Sequence, residues 1–560
     1  MSTSRRATAD RRSTASRLRP LLCSAAALLL VACSSDGVAE PEPLGDAQSA
    51  EIVAEVGAAA DTTGVYVADS GFRPDVDGFS FENYSNGPEV VNLRPAEMHA
   101  LFGDAICADG TGSGCRMSSP AVTWMDQLNA MMDGGHCEGF AVLSQLFLAG
   151  AATPADYGAE VTYGLDPEAD TEVRPTIARW FATQASEPSN GARRMDMTPV
   201  EVVDELTATL GQPRTPENTY TIAIFQPGYE GGHAVTPYAI EDRGDGIVWI
   251  LVYDNNYPGV PRAIEVDLEE NTWSYEAGTN PTEDSELYLG DASTFTLAIS
   301  PIAARLAAQE CPFCAGELDE DLAGRNQLSL TGPGARLAGT DFYVTDTTGR
   351  AFGRRDGSFV TEIEDGAFMP VLTGLDDAPA PMLDVPASFD SAVSIAAGDE
   401  DANDMDFALV GAGYDVFITG IDVAKGASDT VALTQDGSRV SYTSHTTSTP
   451  TIEVTTGNDD GWTYDVSVRA VSLDRPARLS LISPEDSAEL YIGARAGGTY
   501  EVEVLRIAPD GTTDTVAVDR LRVGESQLLL LPFDGWTTSA PFEATIVGDD
   551  GSVVKPVRFR

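Results

Sequence analysis

Cys137, His233 and Asp254 are the residues whose types and setting suit nucleophilic chemistry. Cys137 follows Gly134-Gly135-His136 and opens a run to Leu148 that is apolar on nearly every side. A thiol in the first turn of a buried helix faces the positive end of the helix dipole, and an imidazolium partner favours its thiolate further. His233 stands in Gly231-Gly232-His233-Ala234-Val235, at the start of a strand. Asp254 ends the next strand, in Val252-Tyr253-Asp254-Asn255-Asn256-Tyr257-Pro258. In this set the thiol attacks a carbonyl, His233 takes and returns the proton, and Asp254 fixes the tautomer from the other ring nitrogen. The N–H of Cys137, unpaired in the first helical turn, helps hold the oxyanion. The remaining histidines, His99, His136 and His445, are read as structural or surface residues.

The elements that must position this set follow from periodicity. Trp124 to Met132 reads as a helix broken by Gly134-Gly135, and Cys137 to Leu148 as a second one that Gly150 stops. Thr198-Pro199-Val200-Glu201 has the form of a capping box with Pro at the first helical position, opening a helix to Leu210. Strands are predicted over Tyr220–Phe225, His233–Glu241 and the continuous apolar run Ile247–Tyr253, which suits a central strand. Helices followed by antiparallel strands spell an α+β domain over 61–305.

These residues resemble the papain-like superfamily of cysteine peptidases, with its transglutaminase-like and bacteriocin-processing relatives. The resemblance runs from about Phe79 to Pro301 and rests on Gly135-His136-Cys137-Glu138-Gly139-Phe140-Ala141, Gly232-His233-Ala234-Val235 and the segment around Asp254. It implies a papain-like fold, a Cys137–His233–Asp254 triad and hydrolysis of a peptide or amide bond through a thioester. The oxyanion glutamine of papain stands six residues before the cysteine, a position held here by Met131, which leaves Asn129 or Gln127 for that role, Asn129 preferred.

Residues 1–32 read as an export signal: six arginines (Arg5, Arg6, Arg11, Arg12, Arg17 and Arg19) precede the apolar run Leu21–Val31. The run ends Leu30-Val31-Ala32-Cys33-Ser34-Ser35, which resembles a bacterial lipobox and implies diacylation of Cys33 and anchoring to the cell membrane or outer membrane. Residues 33–60 read as a flexible tether. Of the seven cysteines, Cys23 leaves with the signal and Cys33 takes the lipid. Cys107 and Cys115 bracket a glycine-rich loop, and Cys311-Pro-Phe-Cys314 is short enough to close on itself. Two structural disulfides are therefore expected, with Cys137 as the free thiol.

Beyond about 326 the pattern becomes short alternating runs separated by turn signals such as Pro509-Asp510-Gly511. The expected order is a connector with the CxxC pair (306–325), a β-rich segment (326–375), an acidic, Pro-containing linker (376–410), and two Ig-like β-sandwiches (411–485 and 486–560). The fold class is thus multidomain, a papain-like α+β domain followed by all-β sandwiches. The acidic run Asp399–Asp406 lacks the glycine and distal glutamate of an EF-hand and reads as a solvated linker.

Asp+Glu 87 against Lys+Arg 34 gives a net charge of −53, which argues against a phosphate-tracking nucleic-acid binder. No nucleotide or phosphate loop is present, and neither cofactor nor metal is expected. The functional expectation is a surface-anchored peptidase or amidase acting on a peptide or protein substrate. The alternatives are an acyl transferase with the same triad, and a non-catalytic lipoprotein that binds through its β domains.

Overall fold

The structure, a computed structural model, describes residues 60, 64–226, 229, 232–278, 286–314, 324–333, 335, 339–374, 380–435, 439–445, 449–457, 462–473, 478–482, 489–494, 497–508, 510–532, 543–548 and 552–559. The export signal, Cys33 and, Ala60 apart, the tether lie outside the described residues.

The first half is built on one antiparallel sheet. In chain order its elements are β1 (Val65–Asp69), α1 (Pro95–Phe102), a small hairpin of β2 (Cys107–Asp109) and β3 (Arg116–Met117), α2 (Ser119–Met131), α3 (Cys137–Leu148), α4 (Val173–Ala182) and α5 (Pro199–Leu210). The strands β4 (Tyr220–Phe225), β5 (Gly232–Gly244), β6 (Ile247–Tyr253), β7 (Pro261–Asp267), β8 (Thr272–Ala277), β9 (Glu286–Asp291) and β10 (Leu297–Pro301) follow. The sheet order is β10-β4-β5-β6-β7-β8-β9, with β1 added to β5.

Helices cover both faces of this sheet, which is why its central strands are apolar without alternation. Ile222, Ile224, Val235, Ile250 and Val252 pack with Val202, Leu206 and Leu210 of α5. Their neighbours Trp249, Leu251 and Tyr253 turn to the opposite face and meet Phe140, Leu143 and Ile177 of α3 and α4. The capping box of α5 is formed, with Glu201 N–H donating to Thr198 Oγ1 and Thr198 N–H to Glu201 Oε2 at 2.8 Å.

The second half is all β, and the two sheets run through it without interruption. One has nine strands and the other eleven, between 325 and 558. A single apolar core, from Leu328 to Phe559, lies between them. The β-sandwich expectation therefore holds, but its division into a β-rich segment, a linker and two Ig-like domains does not. The span 376–410 contains the strands Met382–Pro386 and Ser391–Ala397 and most of Ala402–Gly411. Its acidic side chains tie hairpins: Asp401 Oδ1 accepts from Lys425 N–H and Asp406 Oδ1 from Gly420 N–H.

From 402 onward, hairpins alternate between the sheets. Strands 402–411 and 414–423 join the nine-stranded sheet, and 428–433 and 439–443 the eleven-stranded one. The same four-strand course repeats at 451–494 and at 498–548. The sequence shows no fixed period here because what repeats is strand alternation, not residue identity.

The two halves share a core. Phe102, Trp124 and Phe181 pack with Met369, Val371, Met382 and Val410, beside Phe313 of the CxxC connector. Trp124 Nε1–H donates to Gln327 Oε1 at 2.6 Å, and Gln327 Nε2 to Ala185 O at 3.0 Å. Both expected disulfides, Cys107–Cys115 and Cys311–Cys314, are formed, and among the described residues Cys137 is the free cysteine, buried.

Candidate functional site

Cys137 is the first residue of α3, as its glycine-flanked sequence implies. Gly135 makes the turn into the helix at φ 121°, which side-chain-bearing residues rarely adopt. The helix is buried along most of its length and is fixed to the sheet by polar contacts. Ser144 Oγ lies 3.1 Å from Thr236 Oγ1, and Gln145 Nε2 donates to the carbonyls of Tyr220 and Pro237. A Cβ on Gly139 would lie 2.1 Å from the carbonyl of Ile177, so only glycine lets α4 approach this closely.

This packing sets the thiol of Cys137 against the start of β5. Ala234 N–H donates to Cys137 Sγ at 3.3 Å, a backbone donor suited to a thiolate. His233 Nε2–H donates to Asp254 Oδ1 at 2.7 Å, and Nδ1 forms no complete hydrogen bond. Nδ1 is thus the ring nitrogen left for Cys137, whose charge and hydrogen bonding act on the ring. Burial works against the imidazolium, but Asp254 and Cys137 outweigh it, and the His233 pKa is raised far above its ordinary value. For Asp254, burial pushes the pKa up, yet the His233 charge and the hydrogen bonds from His233, Tyr275 and Asn256 prevail and hold it below the usual carboxylate range. Cys137, His233 and Asp254 are all fully buried.

The three residues ending the Asp254 loop divide the work. Asp254 takes the imidazole, Asn255 Nδ2 donates to the carbonyls of Ala234 and Cys137 at 2.9 and 3.3 Å, and Asn256 Nδ2 donates to Gly278 O at 2.9 Å. Asn255 therefore ties the strand carrying His233 to the helix carrying Cys137.

Asn129 does not serve the site. Its side-chain amide is committed to the backbone of Leu93, accepting from N–H at 2.9 Å and donating to O at 3.1 Å. Gln127 faces the β half, its Oε1 accepting from Ser329 and Thr331. The reason is geometric: both lie on α2, which packs on the sandwich, whereas the loop before α1 reaches the His136 N–H at the entry to α3. Asn83, in that loop, brings a side-chain amide beside the start of α3. Its Oδ1 accepts from His136 N–H at 2.6 Å, which aims Nδ2 at the same point as the N–H of Cys137. Both donate to Thr373 O, Asn83 Nδ2 at 3.1 Å and Cys137 N at 3.4 Å.

His136 secures that loop, with Nδ1 bonded to Tyr84 O at 2.7 Å and Nε2 lying 2.8 Å from Asn92 Oδ1. Burial pulls its pKa down to about 4 against the Tyr84 hydrogen bond. Behind the thiol, Glu138 and Arg305 form a fully buried ion pair. His99 and His445 stay away from the site, paired with Asp104 and Asp429. Among the described residues no group of His, Cys, Asp or Glu is arranged to hold a metal ion.

No family model matches the chain, and neither a curated protein nor a solved structure does.

Proposed function

We propose that this chain is a papain-like cysteine peptidase or amidase, exported and anchored at the cell surface through a lipid on Cys33. The observation that carries the reading is the His233 imidazole held between the Asp254 carboxylate, 2.7 Å from Nε2, and the thiol of Cys137 at the start of a buried helix. Cys137 is the nucleophile and His233 the proton carrier. Asp254 keeps Nε2 protonated, so that Nδ1 exchanges its proton with the thiol and the leaving group. Asn83 Nδ2 and Cys137 N–H form the oxyanion hole. Asn255 and His136 are positioning residues. The two disulfides favour an oxidising compartment and so support export.

The test is hydrolysis of a peptide library by the chain and by Cys137→Ala and His233→Ala. Release of amine with both variants inactive and folded supports the reading, and undiminished hydrolysis by Cys137→Ala overturns it. Added hydroxylamine separates the outcomes for the acyl group, since an acyl transferase yields mainly the hydroxamate and a peptidase mainly the acid.

A further inference from the structure

The cleft contains a piece of the chain itself. Residues 370–374, between the strands Ala367–Met369 and Met382–Pro386 of the nine-stranded sheet, leave the sandwich and cross the thiol. The Thr373 carbonyl takes both oxyanion donors, Asn83 Nδ2 and Cys137 N–H. One residue back, Leu372 is fully buried in a cluster with Cys137, Ala141, Ala223, Phe225, Ala234 and Ala298. Its N–H donates to Gln184 Oε1 at 2.7 Å, and Arg193 Nη1 donates to Pro370 O at 3.0 Å. On the other side of Thr373, Gly374 forms an antiparallel bridge with Gly232, beside His233.

These contacts grip an extended peptide along its backbone, which a connector between two strands does not need. Gln184 and Arg193 are buried, and Gln184 Nε2 and Arg193 Nε and Nη2 have no partner among the described residues. Glycines line the passage: a Cβ on Gly135 would lie 2.3 Å from Thr373 O, one on Gly232 2.8 Å from Leu372 Cδ2, and one on Gly374 2.8 Å from Gly134 O.

Resting on the peptidase reading above, we propose that this segment is the enzyme's own first substrate, cut between Thr373 and Gly374. The Cys137 thiolate attacks the Thr373 carbonyl carbon, the bond to the Gly374 nitrogen breaks, and the His233 imidazolium gives that nitrogen its proton. One water, deprotonated by His233, then cleaves the thioester, leaving a Thr373 carboxylate and the free thiol. The substrate class follows from the same contacts: extended peptides with an aliphatic residue two places before the cut and glycine directly after it. Because Ala367–Met369 and Met382–Pro386 pair with each other, the two products stay associated in the native state.

The experiment is incubation of the purified chain at neutral pH, read by intact mass under denaturing conditions and by native size. The expected result is a fragment ending at Thr373 and one beginning at Gly374, at unchanged native size. Cys137→Ala and Gly374→Pro should stay whole. A coumarin amide of Pro-Val-Leu-Thr, offered to Leu372→Asp, separates the failures, with Leu372→Gly/Thr373→Gly as the second variant should the first not fold. A wild-type chain that stays whole while the opened variant hydrolyses this amide overturns self-cleavage and leaves the peptidase. A chain that stays whole with the opened, folded variants inert overturns both.

Discussion

The Tyr275 hydroxyl donates to Asp254 Oδ2 at 2.5 Å, while Oδ1 of the same carboxylate receives His233 Nε2–H and Asn256 N–H. A fully buried carboxylate thus meets three donors, and only one of them is the imidazole. The other two join the His233 charge in keeping it ionised and fix it in rotation, so His233 is oriented by a group that cannot turn away.

Asp254→Asn removes the charge that supports the imidazolium. The His233 pKa then falls, its proton is lost at lower pH, and the alkaline limb of the kcat/KM profile should move down by a unit or more. The rate at the optimum falls as well. A profile recorded from pH 5 to 11 checks both, and an unmoved alkaline limb would count against the pairing.

Tyr275→Phe leaves Asp254 Oδ2 buried without its donor. The expected cost is about 1–3 kcal/mol of folding free energy. Urea unfolding at pH 7 measures it, and the unfolding slope should not change.

Asn83→Ala deletes one oxyanion donor and should lower kcat by about 10²–10³-fold with little change in KM. Steady-state kinetics on a peptide amide separates this from a binding defect. The Oδ1 contact to His136 N–H also disappears, so a modest fall in Tm should accompany it.

Glu138→Gln leaves Arg305 as a buried guanidinium without its counter-charge, and Arg193 loses the carboxylate that favours its own charged form. Burial already holds both arginine pKa values below the ordinary range, that of Arg193 at about 10. Breaking such a pair from one side should cost about 3–5 kcal/mol. Denaturant unfolding reads this directly.

Asp415 lies under α2, where Thr123 Oγ1 donates to its Oδ2 at 2.8 Å, and burial pushes its pKa up to about 7. The folded chain therefore holds a proton there that the unfolded chain gives up near pH 4. Its contribution to stability is whole below about pH 4 and is lost as the pH rises to about 7, at no more than about 1.4 kcal/mol per pH unit. Asp415→Asn should remove that slope and raise Tm at pH 8, which thermal scans across pH 4–8 would detect.

Local signals were legible in the sequence. The strands Tyr220–Phe225 and Ile247–Tyr253 and the helices Cys137–Leu148 and Pro199–Leu210 fall where periodicity and capping put them. Asp254 follows from its place at a strand end, and the free Cys137 from counting. Asn83 was not legible. It sits in a loop with no period, and its value comes from the partner His136 offers it, a contact far along the chain. Asn129, closer in sequence, faces Leu93 because α2 must bury Trp124 and Leu128 in the core shared with the sandwich. The segment across the thiol was hidden for the same reason: Val371 and Leu372 look like any apolar pair until the topology sends Val371 into the core shared by the two halves and Leu372 to Cys137.

The alternating hairpins of the second half make its length a modular quantity. Each four-strand course adds two strands to each sheet, and strands lie about 4.8 Å apart, so one course advances the C-terminus by about 10 Å. The courses at 402–443, 451–494 and 498–548 all follow the segment that crosses Cys137. Gain or loss of a distal course therefore resets how far the C-terminal end stands from the thiol while leaving the core around Leu372 as it is.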